Sequence, residues 1–207
     1  MRKFISILTT LIVIVGFSLP SNAASVISSG DTYKYETLNF DLRPIWNSVN
    51  YSTYSGWDNL LQNGQEGQSA FGNRATYNTY WTQRTDLALI KEIDIEGTLD
   101  NILLSVCIDN GFAIFVNGNL AAKQQIEAFA NDWRFNYNLS PTLFNVGKNE
   151  IAVLAEDHGY GTYFDMRMTA DITPVAPTVP APEPSSMILG ITALTGFILR
   201  KKAAVKI

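Results

Sequence analysis

Residues 102–118 of the chain read ILLSVCIDNGFAIFVNG. The two dense apolar runs, 102–108 and 112–116, are typical of strands that are buried on both faces or nearly so. The Asp-Asn-Gly between them tolerates positive φ angles and predicts a hairpin turn. The Asn-Gly at 117–118 repeats that signal one strand later. This stretch therefore predicts consecutive antiparallel strands.

Alternation of apolar and polar side chains continues on both sides of this stretch. In the upstream strand the apolar and acidic side chains fall on opposite faces: Leu87, Leu89, Ile93 and Ile95 against Glu92, Asp94 and Glu96. Residues 133–139 and 164–171 alternate in the same way, with Trp133 and Phe164 beginning the apolar faces. Because a period of two is the signature of half-buried strands, the sequence predicts an all-β fold, an antiparallel β-sandwich.

Composition narrows the function classes. The chain has 207 residues, of which 46% are hydrophobic and 16% charged, enough for one domain with appendages. One Cys and one His exclude a disulfide scaffold and a zinc site built from Cys and His alone. Residues 24–183 carry nine basic and 19 acidic residues, a net charge of −10. That charge disfavours nucleic acid as a partner, but it is compatible with neutral polysaccharide.

The N-terminus has the pattern of a secretion signal. Arg2 and Lys3 precede an apolar run over residues 4–19, and small residues occupy the third and first positions before a cut after Ala23. We expect a signal peptide over 1–23, forming a helix in the precursor and removed by signal peptidase. A retained membrane helix is the alternative, but the run is shorter than the ~20 residues of a typical span.

The C-terminus follows a different pattern. Residues 174–184 contain five prolines and predict an extended linker after a β-sandwich domain at 24–173. Residues 185–207 contain an apolar run at 187–199 and then a basic stop of Arg200, Lys201 and Lys202. This order predicts a short transmembrane helix with its basic end in the cytoplasm and the sandwich outside.

The tail resembles the PEP-CTERM sorting domain. The resemblance rests on Pro182, Glu183 and Pro184, on the short apolar helix and on the basic cluster. It implies recognition by an exosortase in the inner membrane of a Gram-negative bacterium, followed by a place in the cell envelope or extracellular matrix. The chain departs from the pattern in carrying residues 203–207 after the basic cluster. A plain C-terminal anchor that is never cut stays open as the alternative.

The body resembles the galactose-binding-like jelly roll that accompanies many glycoside hydrolases. Five motifs carry the resemblance, in this order: Ala-Phe-Gly at 70–72, Thr-Tyr-Trp at 79–81, Leu-Ala-Leu-Ile-Lys-Glu-Ile at 87–93, Asp-Asn-Gly-Phe at 109–112 with Val-Asn-Gly at 116–118, and Gly-Lys-Asn-Glu-Ile-Ala-Val at 147–153. The chain has Lys91 and Glu92 where that family often has paired arginines. The resemblance implies a jelly-roll sandwich and carbohydrate binding.

Aromatic side chains in the polar segment 41–85 are the candidates for carbohydrate contact. Sugar rings stack on exposed aromatic faces, and the candidates are Trp57, Tyr77, Tyr80 and Trp81. For Trp57 and Trp81, packing at the ends of the sandwich stays open as the alternative.

Glu92 and Glu96 give an alternative function. Strand alternation places them on one face with Asp94, similar to the carboxylates of laminarinase-type glycoside hydrolases. Positions i and i+4 of a strand are about 13 Å apart at Cα, whereas retaining chemistry needs carboxyl groups about 5 Å apart. We therefore expect a solvated acidic face and no catalytic residue.

Other polar and reactive residues predict no cofactor. His158 is expected to face solvent or hydrogen-bond within a turn, and Cys107 to fill a small space in the core. Gly159 and Gly161 lack the third glycine of a dinucleotide site. A structural calcium ion stays open, since its oxygen ligands leave no spacing signature, and no metal ligand is assigned. The sequence thus predicts an exported, non-catalytic protein whose β-sandwich binds extracellular polysaccharide.

Overall fold

The computed structural model describes residues 23–73, 76–126 and 130–175. The predictions for residues 1–22 and 176–207, which include nearly all of the signal peptide, Pro182-Glu183-Pro184 and the basic stop, lie outside these residues. Within them, no helix is long and apolar enough to cross a membrane.

Two sheets form the body, so the predicted all-β sandwich is confirmed. Sheet A comprises β1 (Ala23–Ile27), β4 (Phe71–Gly72), β5 (Thr79–Tyr80), β7 (Gly97–Asp109), β10 (Ala130–Leu139) and β12 (Tyr163–Pro174), in the order β10-β7-β12-β4-β5 with β1 paired to β12. Sheet B comprises β2 (Thr32–Thr37), β3 (Gln65–Gln68), β6 (Leu87–Ile95), β8 (Gly111–Val116), β9 (Asn119–Gln125) and β11 (Gly147–Glu156), in the order β3-β2-β6-β11-β8-β9. The pairing is antiparallel apart from the short β4–β5 pair.

The main core lies between the sheets. The predicted apolar face of β6 contributes Leu87, Leu89, Ile93 and Ile95 to it, and β12 contributes Phe164, Met166, Met168 and Ala170. The acidic side chains of β6 are exposed on the opposite face, as the alternation predicts.

A second apolar cluster covers the outer face of sheet B. It joins Ala88, Ile90, Phe115 and Leu154 of the sheet to the segment that follows β2. That segment contains the 3₁₀ helices Arg43–Ser48 and Tyr51–Thr53 and helix α1 (Trp57–Asn63). Because the segment packs on the sheet, β8 is buried on both faces, which explains its dense apolar sequence.

The two predicted turns differ. The Asn117-Gly118 hairpin is confirmed, since Val116 pairs with Asn119 and both turn residues have positive φ, 50° and 78°. The hairpin predicted at 109–111 is wrong. Strand β7 pairs with β10 and β12 in sheet A, and β8 pairs with β9 and β11 in sheet B. The Asp-Asn-Gly therefore turns the chain from one sheet to the other.

Trp133 also departs from the sequence pattern. The register of β10 shifts between Ala130 and Phe135, and Trp133 has a φ of 54°. Its ring lies 4.5 Å from the Arg167 guanidinium carbon, on the outer face of sheet A. The irregularity removes Trp133 from the core face that its alternation with Phe135 predicts.

Candidate functional site

One end of the sandwich brings together several buried polar side chains and two residues with positive φ angles, Arg84 and Tyr160. Here β2, β7 and β11 end and β6, β8 and β12 begin. We call this region the loop end and define it as residues 38–43, 76–86, 109–111 and 156–162.

Two buried aspartates join the segments of the loop end. Asp86 accepts hydrogen bonds from the backbone nitrogens of Leu42 at 2.6 Å and Asp157 at 2.9 Å. The Oδ2 atom of Asp157 accepts from the backbone nitrogen of Arg84. Burial raises the pKa of Asp86 to about 6, against the two hydrogen bonds that lower it, and burial also raises the pKa of Asp157.

Glu156 and His158 form a second buried network. Glu156 is fully buried and accepts from Gln125 Nε2 at 3.0 Å, while its Oε1 contacts His158 Nε2 at 2.5 Å. The backbone nitrogen of His158 donates to Asn110 Oδ1 at 2.6 Å. The predicted hydrogen-bonding role of His158 is thus correct, but its side chain does not face solvent.

A cavity of about 470 Å³ opens at the loop end. Its lining mixes acids, bases, an amide and apolar side chains: Leu38, Asn39, Phe40, Asp41, Arg43, Arg84, Thr85, Asp86, Asp157 and His158. Carboxylates accept hydrogen bonds and guanidinium groups donate them, so this lining suits a small ligand with several hydroxyl groups.

The backbone around the cavity is strained. Arg84 has a φ of 58° and Tyr160 a φ of 80°, a region that residues other than glycine rarely occupy. The neighbouring Gly159 has a φ of 101°. Strained backbone of this kind costs about 1–3 kcal/mol per residue and clusters at functional sites.

Exposed tyrosines lie at the same end. Tyr77 and Tyr80 are 41% and 59% exposed, and their rings meet edge to face with centroids 6.0 Å apart. Tyr160 is 81% exposed, and its carbonyl oxygen accepts a 2.9 Å hydrogen bond from Gln83. These tyrosines present the aromatic surface that the sequence assigns to Tyr77 and Tyr80.

The structure corrects the assignment of the two tryptophans. Trp57 and Trp81 are 3% and 1% exposed. Trp57 stacks on Tyr51 in the outer cluster of sheet B, and Trp81 lies in the main core with its Nε1 bonded to the Thr85 carbonyl at 2.8 Å. Neither indole ring offers a free face to a sugar.

Glu92 and Glu96 lie far from the loop end. Glu92 pairs with Lys148 at 3.3 Å on the exposed face of sheet B. It lines a shallow depression with Thr32 and Leu61, whereas Glu96 lines a different one with Ser25 and Pro174. The predicted solvated acidic face is therefore what these residues form.

The remaining candidates are structural in this molecule. Cys107 is buried, its Sγ accepts from the backbone nitrogen of Trp133 at 3.0 Å, and burial raises the pKa of the thiol to about 11. In the three described ranges, no group of three or more His, Cys, Asp or Glu is arranged to hold a metal ion.

Arg84, Asp86 and Tyr160 were not predicted as site residues. The sequence offers one usable signal, a Tyr between Gly159 and Gly161. The positions of Arg84 and Asp86 depend on contacts with residues 157 and 159, which no spacing reveals.

No protein-family model matches the chain, and a search of curated proteins finds no match. Among solved structures, a β-glucuronidase of an uncultured Clostridium species is similar at 9% identity and a TM-score of 0.47, over 78% of this chain and 31% of that one. A family 35 carbohydrate-binding module from an environmental isolate matches 53% of this chain and 91% of its own length, at 16% identity and a TM-score of 0.35. The PA14 domain of the antifreeze protein MpAFP matches 80% of this chain and 89% of its own length, at 12% identity and a TM-score of 0.36. The chain spans about a third of the length of the β-glucuronidase that it matches.

Proposed function

We propose that this protein is an exported, non-catalytic cell-surface or matrix protein whose jelly-roll, galactose-binding-like sandwich binds carbohydrate at its loop end. The observation that carries the proposal is the exposed, edge-to-face pair Tyr77 and Tyr80, which belongs to the same segment, 76–86, as three residues that line the polar cavity, Arg84, Thr85 and Asp86. Tyrosine offers an apolar face for a sugar ring and a hydroxyl for its polar edge.

The charge of the chain supports a neutral polysaccharide as the ligand. A net charge of −10 over residues 24–183 repels phosphate backbones and other polyanions. Neutral glycans carry no such penalty, and they match a surface of tyrosines, carboxylates and amides.

A binding assay tests the proposal directly. The purified protein is screened on a glycan array and then titrated with the best polysaccharide, in parallel with the double variant Tyr77→Ala/Tyr80→Ala. We expect the double variant to bind at least tenfold more weakly, a loss of about 1.4 kcal/mol. Leu120→Ala is the matched control, because Leu120 is also exposed but lies on the β8–β9 hairpin. Equal binding by both variants contradicts the proposal.

Export and sorting form the second half of the proposal and rest on the sequence. The signal pattern at 1–23 and the order of Pro182-Glu183-Pro184, apolar run and basic stop support Sec export and processing by signal peptidase and an exosortase. Protease added to intact spheroplasts should reach the sandwich and spare a tag placed after Ile207. A tag that is digested while the precursor is uncut contradicts this orientation.

A further inference from the structure

We propose that the loop-end cavity is a pocket for one uncharged terminal sugar residue, with Arg84 as its principal hydrogen-bond donor. The inference rests on the proposed carbohydrate binding and adds the mode of binding and the class of sugar. The tyrosines would then contact the rest of the glycan.

The size of the cavity favours the end of a glycan over an internal segment of one. Its volume of about 470 Å³ lies in the lower part of the roughly 300–1,000 Å³ range of small-molecule sites. A cavity of this size takes one or two rings. A polymer that crosses the loop end would need a longer groove.

The lining offers both kinds of hydrogen-bonding group and one apolar side chain at the rim. Arg84 and Asn39 supply N–H donors, and the carboxylate of Asp41 supplies acceptors. Phe40 is partly exposed beside them and can cover the apolar face of a ring. A sugar hydroxyl group both donates and accepts hydrogen bonds. Neighbouring hydroxyls on one ring can therefore bond to the donors and to the acceptors of the lining.

The charges in the lining favour an uncharged ligand. The cavity is lined by three acids, Asp41, Asp86 and Asp157, by two arginines, Arg43 and Arg84, and by His158, whose ring contacts Glu156. The acids outnumber the arginines by one, and this excess of negative charge disfavours an anionic sugar. The acidic surface of the chain further disfavours uronic acids.

The structure holds the backbone of Arg84 in place. Its φ of 58° is held by the hydrogen bond from its backbone nitrogen to Asp157. Its side chain packs against Gly159, where an added Cβ would lie 3.0 Å from the Arg84 Cγ and Nε atoms. The backbone bond and the contact with Gly159 restrict the exposed Arg84 side chain and reduce the conformational entropy that it loses on binding.

The test is a titration of the purified protein with the methyl glycosides of glucose, galactose, mannose and xylose, and with glucuronate, followed by saturation-transfer NMR. We expect at least one neutral glycoside to bind, and Arg84→Gln and Gly159→Ala each to weaken it at least tenfold. Arg134→Gln, an exposed arginine on β10, is the matched control and should change binding less than twofold. Thermal melts establish that each variant is folded, and Arg84→Gln keeps the backbone bond to Asp157.

Three outcomes would overturn the inference: no neutral glycoside binds, Arg84→Gln binds as well as the wild type, or glucuronate binds more tightly than every neutral sugar. The tyrosine variant separates this inference from the proposed function. Tyr77→Ala/Tyr80→Ala should lose polysaccharide binding and keep monosaccharide binding within threefold. If the polysaccharide binds through the tyrosines but no monosaccharide does, the proposed function stands and the pocket is wrong.

Discussion

The carboxylate of Asp86 accepts a 2.9 Å hydrogen bond from the backbone nitrogen of Asp157, 71 residues away in the sequence. Its other oxygen accepts a 2.6 Å bond from the backbone nitrogen of Leu42. One buried side chain thereby joins the segments that follow β2, precede β6 and follow β11. The geometry of the loop-end cavity depends on this connection.

Asp86→Ala should therefore destabilise the protein strongly. The substitution leaves two backbone N–H groups without their acceptor, and each buried unsatisfied group costs about 1–3 kcal/mol. We expect the free energy of unfolding, measured by urea denaturation, to fall by about 2–4 kcal/mol. Asp94→Ala removes an exposed carboxylate and should change it by less than about 0.5 kcal/mol. Similar losses in the two variants would show that Asp86 does not join these segments.

The pKa of Asp86 predicts how stability depends on pH. Burial raises this pKa to about 6 in the folded protein, from 3.8, so folding favours the protonated form. Its contribution to stability is fully present below pH 3.8 and is lost as the pH rises through 6. The difference in unfolding free energy between wild type and Asp86→Asn should therefore shift in favour of the wild type as the pH falls from 7 to 4.

Urea titrations of both proteins at half-unit pH steps measure that difference. Because both proteins contain Asp165, whose pKa is also raised by burial, its contribution cancels in the difference. If the difference stays constant with pH or shifts in the opposite direction, the pKa of Asp86 is not raised in the folded protein.

Glu92→Gln tests the alternative of a hydrolase. The Glu92–Lys148 pair is exposed and 3.3 Å long, and such surface pairs contribute about 0–1 kcal/mol. We expect the variant to melt within about 2 °C of the wild type and to bind glycans equally well. A reducing-sugar assay on β-glucans is run beside it. If the wild type hydrolyses a β-glucan and Glu92→Gln abolishes that hydrolysis, the proposed non-catalytic function is wrong and the protein is a glycoside hydrolase.

The sequence predicts the layers of this fold better than its connections. Alternation identifies the inward side chains of β6 and β12, because one face of each strand must be buried whatever the topology. The Asp-Asn-Gly at 109–111 shows the limit, since the same residues suit a hairpin and a turn between sheets. Only the partners of β7 and β8, which lie far away in the sequence, decide between them.

The candidate site also contains residues that the sequence predicts correctly and residues that it does not. The exposure of Tyr77 and Tyr80 is predicted from their residue type and their polar sequence neighbours, and both are exposed. Trp57 and Trp81 share those features but are buried, and each indole N–H donates to a backbone carbonyl within the fold. Whether a large aromatic side chain faces solvent depends on which segment covers it, and the covering of sheet B by residues 38–61 has no local signal.

The β8–β9 hairpin gives the last prediction. Gly118 has a φ of 78°, and an added Cβ would lie 3.8 Å from the Tyr51 ring, an ordinary contact. Gly118→Val therefore loses stability through backbone strain and not through collision, at a cost of about 1–2 kcal/mol. A domain of this size should melt about 3–6 °C lower.

Leu120→Val is the control for that change. It places the same side chain two residues further on, at an exposed strand position where a β-branched residue is favoured. Gly30 does not serve as a neutral comparison, because its φ of 88° lies in the same left-handed region as that of Gly118. Gly30→Val should consequently be about as destabilising. If Gly118→Val and Leu120→Val melt at the same temperature, the positive φ assigned to the turn is wrong and the register of β8 with β9 must differ.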